Sequence, residues 1–246
     1  MFNFSQKLKK RPGMWPYIFE FFTVLLSVYL AFLITEWREN YKIQKEVKVA
    51  RERLDQEILD NYNNLIDFDR DVNQRYTKLL EVEAMLIPGK AFHDYVSHFN
   101  GYRIPTFKKV AWQRVVNSHL VHLMPVEYMD EVNRIYWSNQ ILEDMPKQNN
   151  DVFIGENVFD KERAPIAYNI SRIFVWQQRD WGREYLKKYY HLLKMQPELL
   201  EQLKIKDSLS YRFYQKQDRI MTAREEAKAR TNKIQLSQKK AKNTTK

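Results

Sequence analysis

Residues 21–34 read FFTVLLSVYLAFLI, an apolar run without a charge. Carried out to Trp15 and Trp37, it covers 23 residues, with acidic side chains only at Glu20 and, beside the exit, Glu36. At 1.5 Å per residue a helix of that length reaches roughly 34 Å, enough for a hydrocarbon core of about 30 Å. Trp15, Tyr17 and Trp37 stand at the ends, where aromatic rings collect at membrane–water interfaces. A buried core helix seldom has such basic and aromatic flanks, and no small-residue cleavage site follows the run. The stretch predicts one N-terminal transmembrane helix over 15–37, with the lipid bilayer as its first partner.

The polar and small residues of this helix share a face. At 100° per residue, Glu20, Thr23, Ser27, Ala31 and Thr35 fall within about 60° of one direction. Phe21, Leu25, Tyr29 and Phe32 cover the other sides. Helices in lipid associate through small residues that let backbones approach, and Ser27-x-x-x-Ala31 is such a pair. The stripe is therefore read as a helix-packing face for a homo-oligomer or a partner transmembrane helix. The competing reading has Glu20 reaching to the headgroups and the stripe arising by chance.

The whole chain has 246 residues, 44% hydrophobic and 29% charged, with only five Gly and eight Pro. Few breakers favour long helices over a many-turned β fold. The absence of cysteine excludes disulfides, thiolate catalysis and Cys-ligated zinc. The net charge of +10 sits at the two ends. Lys7, Lys9, Lys10 and Arg11 are unopposed over residues 1–12, and from Lys216 onward ten Lys/Arg face Asp218, Glu225 and Glu226. The organisation follows: a basic segment 1–14, the span 15–37, a helical domain 38–215 and a basic tail 216–246. The tail ends in SQKKAKNTTK, whose low complexity predicts partial disorder. The N-terminal cations place the N-terminus inside and the domain outside an inner (cytoplasmic) membrane. Arg38, Lys42, Lys45, Lys48, Arg51 and Arg53 pull the other way, because that rule counts Lys and Arg and largely ignores acids.

Between Pro16 and Pro88 there is neither Gly nor Pro, so one nearly continuous helix is expected from about Pro16 to Ile87. Ile58, Leu65, Val72, Leu79 and Leu86 recur every seven residues, with Leu54, Phe68 and Val82 between them. Asn61 and Arg75 interrupt that second row, which favours packing inside a helical bundle over a two-stranded coiled coil. Phe92, Tyr95, Val96 and Phe99 have helical spacing before Asn100-Gly101. Thr106 is a candidate cap for a helix carrying Val110, Trp112, Val115, Val116 and Leu120. A helix over Glu127–Glu143, a long loop from Met145 to Pro165, and a long helix opened by Pro165 and carrying Ile170, Phe174, Trp181, Tyr185, Tyr189 and Leu192 complete the expectation. A short helix over Pro197–Ile205 and a last one from about Asp207 follow. The fold class is mainly α: one N-terminal transmembrane helix continuing into an extramembrane helical bundle.

Glu20, Ser27, Ala31 and Trp37-Arg38-Glu39-Asn40 resemble a bacterial family of single-span membrane proteins known only as a domain of unknown function. Members share an early Glu, a small residue seven later, then Ala and a Trp-x-Glu-Asn exit. Where they usually have Gly, this chain has Ser27. The Ala111-Trp112 helix, followed by a helix ending in an aromatic like Tyr136, is a second similarity. The resemblance implies an anchored helical domain in the bacterial cell envelope and, since the family's activity is unknown, no chemistry.

No residue pattern supports a catalytic, cofactor or metal assignment. The glycines are isolated, so no phosphate loop exists. Asp67, Asp69 and Asp71 imitate an EF-hand start, but Val72 replaces the invariant Gly and Lys78 the bidentate Glu. His119 and His122 have a metal-compatible spacing without a third ligand beside them. The sequence thus reads as a non-enzymatic envelope protein of unknown biochemical role, an assembly or interaction module needing no cofactor. One alternative is a membrane-tethered ligand sensor with a pocket among Trp112, Trp137, Trp176 and Trp181. Another is an adaptor whose basic tail binds an anionic polymer or lipid headgroups. The tail lacks the regular aromatic interleaving of a nucleic-acid binder.

Overall fold

The computed structural model describes residues 14–148 and 155–244, which are mainly helical, without a strand among them. The basic segment 1–14 lies, except for Met14, outside the described residues. Seven helices follow in order: α1 (Trp15–Met85), α2 (Val110–Val116), α3 (Val126–Gln148), α4 (Glu156–Phe159), α5 (Ala164–Met195), α6 (Pro197–Lys206) and α7 (Ser208–Thr244). Two 3-10 turns, Phe92–Tyr95 and His119–Leu123, lie between them. The chain divides into two units, Met1–Val49 and Ala50–Lys246.

In the first unit, α1 is long and apolar enough to cross a membrane, and its apolar window is exposed among the described residues. Phe19, Phe22, Leu26, Phe32 and Trp37 are all exposed. The observed bounds of α1 differ from the expected 16–87 by one or two residues, as helix ends commonly do.

The second unit has its own core. Ile58, Leu65, Val72 and Leu79 of α1 are fully buried, as are Leu54, Phe68 and Val82, so the seven-residue pattern marks the inward face. Burial of each such side chain contributes about 1.5–3 kcal/mol. Leu86 lies past the helix end and is only half-buried. α3 packs against α5, with α4 and the Phe92–Tyr95 turn also on α5 and α6 against α7, while Tyr128 of α3 and Tyr189 of α5 reach Asp55 and Tyr62 of α1. The core is rich in tyrosine: the Tyr62 and Tyr189 rings lie 5.7 Å apart, and Phe92 stacks on Phe99 at 6.0 Å. Asn100 and Gly101 both take left-handed φ, 60° and 62°, where the chain turns away from that aromatic pair.

Several segments depart from the sequence expectation. Thr106 caps nothing; the chain has no regular secondary structure as far as Lys109, and the expected helix is only the seven residues of α2 plus a 3-10 turn. The reason is that Phe107 and Lys108 have their backbone groups bonded to distant side chains, as detailed below. The helix over 127–143 runs on through Pro146 to Gln148, and residues 149–154 of the expected loop lie outside the described residues. On α5, Ile170 and Trp181 face outward while Phe174, Tyr185, Tyr189 and Leu192 face inward. With Ile166 and Ile173 also exposed, α5 carries apolar residues on two faces, and periodicity alone cannot tell which is the core. The tail, expected to be partly disordered over 216–246, is helical within α7 as far as Thr244. Its Ala, Lys, Arg, Gln and Glu are strong helix formers with no Gly or Pro among them.

Candidate functional site

The five residues of the stripe all lie on α1 and all are exposed. Three hydroxyls bond to the preceding turn: Thr23 Oγ1 donates to the Phe19 carbonyl (2.9 Å), Ser27 Oγ to Thr23 (2.7 Å) and Thr35 Oγ1 to Ala31 (2.8 Å). Such back-bonds satisfy a hydroxyl without water, so the stripe is flatter and less polar than its sequence implies. Glu20 has no hydrogen bond or ion pair among the described residues.

The second unit concentrates its polar chemistry where α1 meets the irregular segment 101–109. Asn61, fully buried, takes both backbone groups of Lys108: Nδ2 donates to the carbonyl and Oδ1 accepts the N–H, each at 2.8 Å. Arg75 donates to the Gly101 carbonyl (3.0 Å), Gln178 Nε2 on α5 to that of Arg103 (3.2 Å), and Glu143 on α3 accepts the Phe107 N–H (2.8 Å). A segment outside helix and sheet must find such acceptors and donors. The two polar residues that break the apolar row of α1 are therefore the ones that hold this segment.

The node of the arrangement is Glu57. Its Oε2 accepts the Ala111 N–H (2.8 Å); its Oε1 accepts the Trp112 N–H (3.1 Å) and the Tyr136 hydroxyl (2.6 Å). Helix α2 has no capping side chain of its own at Lys109, so a carboxylate from α1 caps its N-terminal donors. Burial, and next the hydrogen bond to Glu57, hold the Tyr136 phenol far above the usual tyrosine range. Two residues earlier on α1, Asp55 accepts from the Tyr128 hydroxyl at 2.6 Å. Burial raises its carboxyl, against the opposing effects of Tyr128 and Arg51.

Beside this node lies a cleft of about 190 Å³ between residues 107–113 and α3. Trp112 stacks on Tyr136 along one wall. Trp137, 63% exposed, lies on the rim with the Lys188 ammonium 5.6 Å from its ring. Asn139 lines the cleft while only 2% exposed; its Nδ2 donates to the Tyr189 hydroxyl (2.8 Å) and its Oδ1 is buried without a partner among the described residues. An unmet buried acceptor costs about 1–3 kcal/mol. Of the four tryptophans expected to form a pocket, only Trp112 and Trp137 line this cleft; Trp176 and Trp181 are exposed on α5 and do not.

Asp67, Asp69 and Asp71 diverge as a helix requires, toward Arg70 (2.9 Å), Arg183 (3.8 Å) and Arg103 respectively. His119 and His122 are both exposed on a 3-10 turn. No group of three metal-capable side chains occurs among the described residues. Comparison with family models, curated proteins and solved structures returns no match for the chain.

Glu57 and Asn139 were not singled out by sequence reasoning. Asn61 and Arg75 gave a signal, as polar breaks in an apolar row, and the Ala111-Trp112 and Tyr136 similarities gave another. Those three residues meet at Glu57.

Proposed function

We propose that the chain is a membrane-anchored helical module that works by assembly rather than catalysis, with 15–37 crossing an inner membrane and the helical unit outside it. The observation that carries this is the fully uncovered apolar window of α1: a helix apolar on most sides needs lipid or another helix around it. The stripe supports self-association, since its hydroxyls are bonded within the helix and Ser27 and Ala31 leave room for a second backbone. The non-enzymatic reading draws on Glu57 and Asp55, whose carboxylates are engaged in holding α2 and α3. Membership of the single-span family is part of this proposal, supported by the convergence of Ala111, Trp112 and Tyr136.

The test uses the natural absence of cysteine. Single cysteines along 17–37 are oxidised in native membranes. Crosslinking that peaks at positions 20, 23, 27, 31 and 35 supports the packing face, and Ser27→Leu or Ala31→Leu should weaken it while Phe32→Leu does not. Uniform crosslinking, or none, contradicts assembly through this face.

A further inference from the structure

We propose that the cleft between residues 107–113 and α3 binds one neutral sugar ring, an inference independent of the anchor reading. The charged walls are already paired: Lys109 with Glu143 at 2.9 Å and Lys108 with Asp60 at 2.8 Å. An ionic ligand would find its counter-charges occupied. What remains on offer is amide chemistry. Asn139 lies at the buried wall, and Gln113, Asn133 and Gln140 are exposed around it. Each amide presents a donor and an acceptor side by side, which matches hydroxyls that both give and accept hydrogen bonds. Asn139 Nδ2 is taken by Tyr189 and its Oδ1 is buried, so the amides that a ligand in the cleft meets are those of Gln113, Asn133 and Gln140.

An apolar ligand would cover the exposed amides of Gln113, Asn133 and Gln140 without meeting them. A flat nucleobase asks for a slot between two rings, and here Trp112 is already closed against Tyr136, 4.9 Å away and 9° from parallel. Trp137 keeps a large exposed ring on the rim for the C–H face of a sugar. The volume, below the roughly 300–1,000 Å³ of drug-sized sites, limits the occupant to a single ring.

The full chain, held in a detergent that contains no sugar, is titrated with the methyl glycosides of glucose, galactose, mannose and N-acetylglucosamine, with binding read by saturation-transfer NMR. At least one should bind saturably at about millimolar concentration, and Trp137→Ala or Gln113→Ala should weaken it by about tenfold. Both side chains are exposed at the rim, so the two variants should keep the parent's circular dichroism. Failure of all four probes to saturate overturns the proposal. So does binding unchanged in both variants, or equal competition by adenosine or inorganic phosphate.

Discussion

Trp112 lies flat on Tyr136, and the Trp112 N–H and the Tyr136 hydroxyl end on the same oxygen of Glu57, at 3.1 and 2.6 Å. One α1 carboxylate thus sets both the start of α2 and the rotation of α3. Glu57→Ala would strand two backbone donors and a phenol in a buried site. A loss of about 3 kcal/mol in urea unfolding is expected, against about 1.5 kcal/mol for Tyr136→Phe, which removes a single charge-assisted bond. The double variant should fall short of the sum, because both act on one network.

Asn61→Leu separates the pattern from the structure. By seven-residue periodicity it repairs an apolar row and should stabilise. With the Lys108 N–H and carbonyl left unmet, it should instead destabilise by about 2 kcal/mol, measured by thermal unfolding of the full chain.

How much of this was legible follows from the range of the interactions. The apolar run of α1 and its buried row have local periods, and both were readable. The hold on residues 101–109 was not, because Asn61 and Lys108 are 47 positions apart and Glu57 and Tyr136 are 79 apart. Helical spacing around Trp112 suggested a longer helix, and side chains from α1 and α3 keep Phe107 and Lys108 out of it. The cleft brings Gln113 beside Asn133 and Gln140 of another helix, a juxtaposition with no signature in local sequence.

Asp55 gives a pH dependence. Its folded-state pKa is raised above 3.8, chiefly by burial, so the folded form holds the proton more tightly than the unfolded chain. The associated stability is present below pH 3.8 and is lost as pH rises through the folded value. Asp55→Asn still offers Tyr128 an acceptor and has no proton to lose. Its stability relative to the parent should therefore rise between acid and neutral pH. Denaturant midpoints that stay parallel from pH 3 to 7 would contradict this assignment.

The claim beneath the rest is that 15–37 crosses the membrane and divides the chain between two compartments. In the cysteine-free background, Ser5→Cys and Ser237→Cys are labelled with a membrane-impermeant maleimide in intact spheroplasts and again after lysis. The account predicts that Ser237→Cys labels at once and Ser5→Cys only after lysis. Equal labelling of both sites before lysis would contradict a span, and the reverse order would contradict the placement of the helical unit outside.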